Sequence, residues 1–379
     1  MKSLASLTIS VLILCLLASS SSAAFTNIYV FGDSLSATDD TITPAPGSTE
    51  PASFHGLRWS NGRVWVEVLA QLQGIILYNT NNKSYFDHNS SILKSEINSF
   101  PVADATNSLF VVWVCNADTF DAAQNKYNSS QWNNAINLAM ANHLNIITNL
   151  YYSKGARTML LPNAVDISKI PAFNGSANID YLPLTSTMSS GCLNYNAALS
   201  NTINQAKSLC PDLKIYTPDF FSLMNDVLTN ASKYGLTNAL DDNGLSIDAY
   251  SDVNIISLNI SNCPGTNYIF WDQQDPSAKL HYTMGGIANA MLSPPVITSI
   301  TRVNGSNRLD IASLPVATVD ATNCLVLYAT NLNQTVWQTN LPGFTSLTAT
   351  QTNYVPILGQ QCFYRIKSNL AFHWPWVWP

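Results

Sequence analysis

Charge is what this sequence has least of. Only 11% of its 379 residues are Asp, Glu, Lys or Arg, 17 basic against 23 acidic, for a formal net charge of −6. An average soluble domain carries ~25%. There is no run of Lys or Arg, and an acidic chain without basic patches lacks what nucleic-acid phosphates require of a partner. Histidine is scarce, five in all, and no Cys-x-x-Cys or Cys/His cluster has zinc-ligand spacing. No metal or cofactor is therefore expected. Past the N-terminus no apolar stretch is long enough to cross a bilayer as a helix. Disorder is excluded for the bulk of the chain, because 46% hydrophobic residues supply enough apolar surface to offset ordering entropy.

The N-terminus is different in kind. Lys2, the apolar stretch Leu4 to Leu17 and the small residues Ser22-Ala23-Ala24 read as a secretory signal peptide over residues 1–24. A secreted, extracellular protein is expected, with up to three disulfides among the six remaining cysteines. Cys324 and Cys362 are the only two in the C-terminal segment and form the preferred pair, whereas Cys115 ends an apolar run and reads as a buried thiol. Sequons begin at Asn82, Asn89, Asn128, Asn174, Asn230, Asn259, Asn304 and Asn333. That many behind an export signal suggest a glycoprotein, with glycans keeping a charge-poor surface soluble.

Strand and helix patterns alternate from residue 25 to 292. Asn27 to Phe31, Leu109 to Val114, Arg157 to Leu161 and Leu213 to Tyr216 read as strands; Val64 to Leu72, Trp132 to Tyr152, Leu193 to Leu209 and Ser277 to Leu292 read as helices. Such alternation implies an α/β fold, a three-layer sandwich around a parallel sheet. Pro294-Pro295 ends the last helix. Residues 296–367 carry short β-rich runs without helical period, a small all-β, sandwich-like module. An aromatic, proline-rich tail, 368–379, closes the chain.

The strongest chemical signal is Phe31-Gly32-Asp33-Ser34-Leu35-Ser36, directly after the first strand. A serine at the carboxyl end of a parallel strand sits where α/β sheets place ligands. To attack, it needs a base and donors for the oxyanion. The motif resembles that of the GDSL, or SGNH, hydrolases, with their flavodoxin-like fold and serine ester chemistry. Asn61-Gly62-Arg63-Val64-Trp65-Val66-Glu67, Ser190 to Asn196, Ser232 to Gly235 and Cys263 to Asp272 look like further segments of lipase-like members, so the resemblance covers about residues 25–292.

The catalytic blocks depart from the family pattern. The resemblance puts the nucleophile at Ser34 and the triad acid at Asp272, but Asp275 stands where the catalytic histidine belongs. An ordinary Asp pKa of ~3.9 makes a weak base at neutrality. Asp272 beside it raises at least one of the two pKa values. Asp275 could also cap the next helix, with Pro276 at its first position. His281 matches the family's second histidine and lies too far along a helix to reach the serine. In the third block Cys115 replaces glycine and Ala117 the donor asparagine; Asn116 could serve, with the Ser34 N–H, if the loop shifted by one residue. Phe86-Asp87 fall where the second block has glycine, the residue that allows a φ > 0 turn. His88 and His55 are candidate surrogate bases; His143 reads as structural and His373 lies in the tail.

The expected function is therefore acyl-ester hydrolysis of a lipid or acylated carbohydrate, weak or impaired because the base is altered. The alternatives are a non-catalytic glycan- or lipid-binding protein on the same scaffold, and a structural secreted protein whose β module makes contacts.

Overall fold

The computed structural model describes residues 25–40, 54–251, 267–293, 296–312, 324–331, 336–339, 341, 350–358 and 362–368. The expected signal peptide, Asn259, Cys263, Asn333 and the tail beyond 368 lie outside the described residues.

Strands β1 (Asn27–Gly32), β2 (Asn82–Ser84), β3 (Ser108–Trp113), β4 (Thr158–Leu160) and β5 (Lys214–Tyr216) form one sheet, ordered β2-β1-β3-β4-β5 with every pairing parallel. This is the flavodoxin-like order, whose ligands lie at the switch point between β1 and β3. The six residues of β3, Ser-Leu-Phe-Val-Val-Trp, are all buried, as a strand covered by helices on both faces must be. Because Asn27 pairs with Ser108 and Gly32 with Trp113, β1 and β3 end level. The loops that carry Ser34 and Asn116 therefore leave the sheet side by side.

The longer helices of the described residues are α1 (Trp65–Leu72), α2 (Ser90–Glu96), α3 (Cys115–Gln124), α4 (Ser129–Tyr152), α5 (Thr185–Leu209), α6 (Phe220–Thr229) and α7 (Ala278–Leu292). Helix α4 starts three residues before the expected Trp132. Its cap sets the start: Asn128 Oδ1 accepts from the Gln131 N–H and Gln131 Oε1 from the Asn128 N–H. Beneath the site, Trp65 meets Trp113 and Phe220 edge-to-face at 5.4 Å each, and Trp113 meets Phe220 at 5.1 Å. Burying side chains of this size is worth ~1.5–3 kcal/mol each, so the junction of β3, α1 and α6 is a firm base for the loops above it.

The C-terminal strands are all antiparallel. β6 (Val296–Val303), β7 (Ser306–Ala312) and β9 (Thr350–Pro356) form one sheet; β8 (Cys324–Ala329) and β10 (Phe363–Ser368) form another. Leu309, Ile311, Val326 and Val355, drawn from both sheets, share one small core. The β6–β7 turn is Asn304-Gly305 with φ of 47° and 80°, the left-handed pair that tight hairpins favour.

The expected Cys324–Cys362 disulfide does not form. Cys324 pairs with Ser368, and Phe363, the residue after Cys362, pairs with Ala329. The two cysteines thus lie at opposite ends of the ladder, ~20 Å apart at ~3.4 Å per residue, where a disulfide needs Cα atoms within ~7 Å. Cys362 is a free thiol, and so are Cys115, Cys192 and Cys210, all three buried.

Candidate active site

Ser34 opens a single 3₁₀ turn, Ser34–Ser36, at the carboxyl end of β1. The approach is tight. A Cβ on Gly32 would lie 2.6 Å from the Ser36 Cβ and 2.9 Å from the Ser84 Oγ, so only glycine fits as the chain enters the turn. The turn is pinned from three sides: Asp33 Oδ1 accepts from the Leu35 N–H, Ser36 Oγ accepts from Trp65 Nε1–H, and Asn82 Nδ2 donates to the Ser36 carbonyl. Ser34 is thereby held at 6% exposure.

The Ser34 hydroxyl donates to Asp275 Oδ1 at 2.8 Å. This corrects one expectation: Asp275 does not cap the following helix. Asn61 Oδ1 takes the first helical N–H, that of Ala278, at 2.8 Å, and Asp275 turns inward with 1% exposure. Pro276 precedes the helix rather than opening it. Asp272 Oδ1 accepts from the Gln274 and Asp275 N–H groups at 2.8 and 2.7 Å. Asp272, which the resemblance puts at the triad acid, here folds the loop that carries Asp275.

These carboxyls are pushed toward the neutral form. Burial raises the Asp275 pKa well above the usual range and the Asp272 charge adds to this, while the Ser34 hydroxyl opposes it. Asp272 rises to about 6, mainly through desolvation, with N–H donors pulling it down. Asp33, 2% exposed, is pushed up to about 7 by burial, tempered by Asn116 and the Leu35 and Ala117 N–H groups.

No histidine of the described residues bonds Ser34. His88 is fully buried; its Nδ1–H donates to the Gly32 carbonyl at 3.0 Å and its ring stacks on Tyr85 at 4.2 Å. It props the end of β1 and is not a surrogate base. The His55 ring is exposed and makes no bond to Ser34. His281 Nδ1 accepts the Trp65 N–H at the start of α1, and burial lowers its pKa to about 3, so it stays a neutral cap. His143 Nε2 meets the Tyr195 hydroxyl at 2.8 Å inside the helical layer.

Helix α3 begins at Cys115, which swings Asn116 into the cavity beside Ser34. Asn116 is 5% exposed; its Oδ1 accepts the Val165 N–H at 3.0 Å, and its Nδ2 lies beside Asp33 without full hydrogen-bond geometry. Asp87 lines the same cavity with φ of 59°, so the left-handed turn that glycine would favour is kept at some strain. The Phe86 N–H, by contrast, is committed to Asp40 Oδ2 at 2.8 Å, which also holds Trp59 Nε1–H at 2.6 Å. Sequence reasoning missed Asp40, which no motif marks, and the raised pKa of Asp33, whose burial no local pattern reveals.

The model for GDSL-like lipases and acylhydrolases matches residues 28–286. The chain belongs to this family. A GDSL esterase/lipase of Arabidopsis thaliana is 24% identical over 181 residues, 46% of this chain and 47% of the relative, so the match spans about half of that protein's length. The acetylxylan esterase Axe2 from Geobacillus stearothermophilus is 13% identical, covering 71% of this chain and 95% of its own, with a TM-score of 0.37. A possible lipase from Chitinophaga pinensis is 12% identical, covering 69% and 96%, with a TM-score of 0.38. At those scores the two structures carry no argument about chemistry. Among the described residues no helix is long and apolar enough to cross a membrane, and no group of His, Cys, Asp or Glu could hold a metal ion.

Proposed function

We propose that this GDSL-family chain is an impaired serine ester hydrolase, exported and glycosylated, in which a carboxylate has replaced the imidazole base. The observation that carries the reading is the 2.8 Å bond from Ser34 Oγ to Asp275 Oδ1. Ser34 attacks the ester carbonyl and its proton passes to Asp275. The oxyanion is met by the Ser34 N–H and Asn116 Nδ2. Collapse expels the alcohol, which takes the proton from Asp275 and leaves an acyl-serine. Water, deprotonated by Asp275, attacks the acyl carbonyl; collapse frees the acid, and Asp275 returns the proton to the departing Ser34 Oγ.

Impairment follows from protonation. The attack needs Asp275 ionised, yet burial and Asp272 favour its neutral form. It also needs Asp33 neutral, since a second anion beside Ser34 opposes the oxyanion, and Asp33 ionises at about 7. Ionising Asp275 and keeping Asp33 neutral thus pull in opposite pH directions. Commitment of the Phe86 N–H to Asp40 removes a further donor, and one lost donor typically costs ~10²–10³ in rate.

Two sequons support glycosylation best. Asn128 and Asn304 are exposed, at a helix cap and a hairpin turn, whereas Asn82 and Asn89 commit their Nδ2 groups to Ser36 and Asp121. The commitment of the Phe86 N–H favours the second reading, a non-catalytic binder of lipid or glycan esters. Hydrolysis of p-nitrophenyl acetate by the native chain beside Ser34→Ala separates the two. Slow turnover that vanishes with the hydroxyl supports the hydrolase; equal rates remove Ser34 from any mechanism.

A further inference from the structure

The carboxyls around Ser34 have no cation of the chain to pair with. Asp33, Asp87, Asn116 and Gln274 form the polar side of the cavity, and no Lys, Arg or His of the described residues lines it. Asp275 bonds the Ser34 hydroxyl, and the charges that act on it most are those of Asp272, Asp33 and Asp40. The basic groups of the adjoining elements are engaged elsewhere. Arg58 pairs with Glu67 at 2.7 Å, Lys83 lies over the Phe100 ring, and Lys279 Nζ donates to the Gly235 carbonyl. His88 and His281 are buried with Nδ1 bonded to backbone. A buried anion without a partner is costly, and Asp33, Asp272 and Asp275 all shift toward the neutral form. Asp33 Oδ2 is buried without a hydrogen-bond partner. Asp87 is exposed, and its carboxyl makes no bond or ion pair with another described residue.

From this we infer that the missing countercharge arrives with the substrate: the site takes esters that carry a positive charge, a quaternary or protonated amine. This rests on reading Ser34 as the nucleophile, and it adds the substrate class. Hydrolysis runs by the steps already described, and the cation leaves unchanged on the acid or the alcohol. A cation bound among these carboxyls favours their ionised forms. It therefore favours the ionised Asp275 that accepts the Ser34 proton. It also offsets the Asp33 charge that would oppose the oxyanion. Phe86 and Phe120, half-buried and lining the same cavity, add aromatic surface, which attracts organic cations. A neutral ester of the same shape gains none of this.

Binding without turnover tests this apart from the hydrolase reading. Ser34→Ala is titrated by ligand-observed NMR with two pairs of esters that match in shape and differ in charge. One pair is acetylcholine and 3,3-dimethylbutyl acetate; the other is betaine methyl ester and methyl 3,3-dimethylbutanoate. One carboxylate at contact distance in water favours a cation about fivefold, so the charged member of at least one pair should bind at least about fivefold tighter at pH 8 and low salt. The preference should shrink in high salt, and at pH 5, below the Asp33 value of about 7. Adding Asp87→Asn should reduce it at least about twofold; Asn tolerates the φ of 59° at this position, so the turn is kept. Adding Asp242→Asn, which removes an exposed carboxyl that does not line the cavity, should leave it unchanged. Equal affinities within both pairs, a preference that Asp242→Asn lowers as much as Asp87→Asn does, or no binding of any of the four esters overturns the inference. Ser34-independent turnover by the native chain would overturn the hydrolase reading and leave these binding results as they stand.

Discussion

Replacing Asp33 by Asn isolates one buried proton. The native carboxyl has a pKa of about 7 against 3.8 for the ordinary group. Between those values the folded chain holds a proton that the unfolded chain has released. Stability from this group is fully present below pH 4 and is lost as the pH rises through 7. At ~1.36 kcal/mol per pH unit for one proton, the two units from pH 5 to pH 7 amount to about 3 kcal/mol, with little further change by pH 8. Asn keeps the acceptor for the Leu35 N–H. Its amide would face the Asn116 amide, a pH-independent penalty of ~1–3 kcal/mol. The decisive quantity is thus the double difference, not the variant's stability at one pH. Urea unfolding of both proteins at pH 5 and pH 8 should show the native chain losing about 3 kcal/mol more than Asp33→Asn. Parallel losses in both proteins would refute the reasoning, because Asp33 would then be ionised in the fold at both pH values and its anion would always oppose the oxyanion.

Two other outcomes follow from the same site. Ser34-dependent ester hydrolysis should rise with pH as Asp275 ionises and turn down as Asp33 does, with Asp33→Asn removing the downturn; a stopped-flow pH–rate profile without that change contradicts the protonation scheme. His88→Asn should lower stability by ~1–3 kcal/mol, through the lost stack on Tyr85 and an unpartnered Gly32 carbonyl. It should leave the pH dependence of turnover unaltered, whereas loss of an acidic limb would mark His88 as the base.

Much of the scaffold was legible because it is written in continuous apolar runs. β1 and β3 could be read from NIYVF and LFVVWV, and their level ends follow from parallel pairing. β2, Asn-Lys-Ser, carries no strand signal; it exists because β1 offers an open edge, so tertiary pairing overrides propensity. Helix α3 was missed because Cys-Asn-Ala-Asp-Thr-Phe-Asp-Ala-Ala-Gln has almost no apolar stripe, and its start at Cys115 is what brings Asn116 to the serine. The inward turn of Asp275 could not be read either. A carboxylate three residues before a helix suits a cap or an active site equally well, and Asn61, distant in sequence, decides by taking the cap. The Cys324–Cys362 pairing failed for a related reason: counting cysteines says nothing of ladder register.

The most direct measurement is the esterase rate of Asp275→His on p-nitrophenyl acetate, with Ser34→Ala in the same background as control. An imidazole there should replace a carboxyl that burial pushes toward its neutral form, and a general base is worth ~10²–10⁴ in rate. A rise of at least a hundredfold over the native chain, abolished without the Ser34 hydroxyl, is the predicted result. A rate unchanged from native would contradict the claim that the missing imidazole is what limits this site.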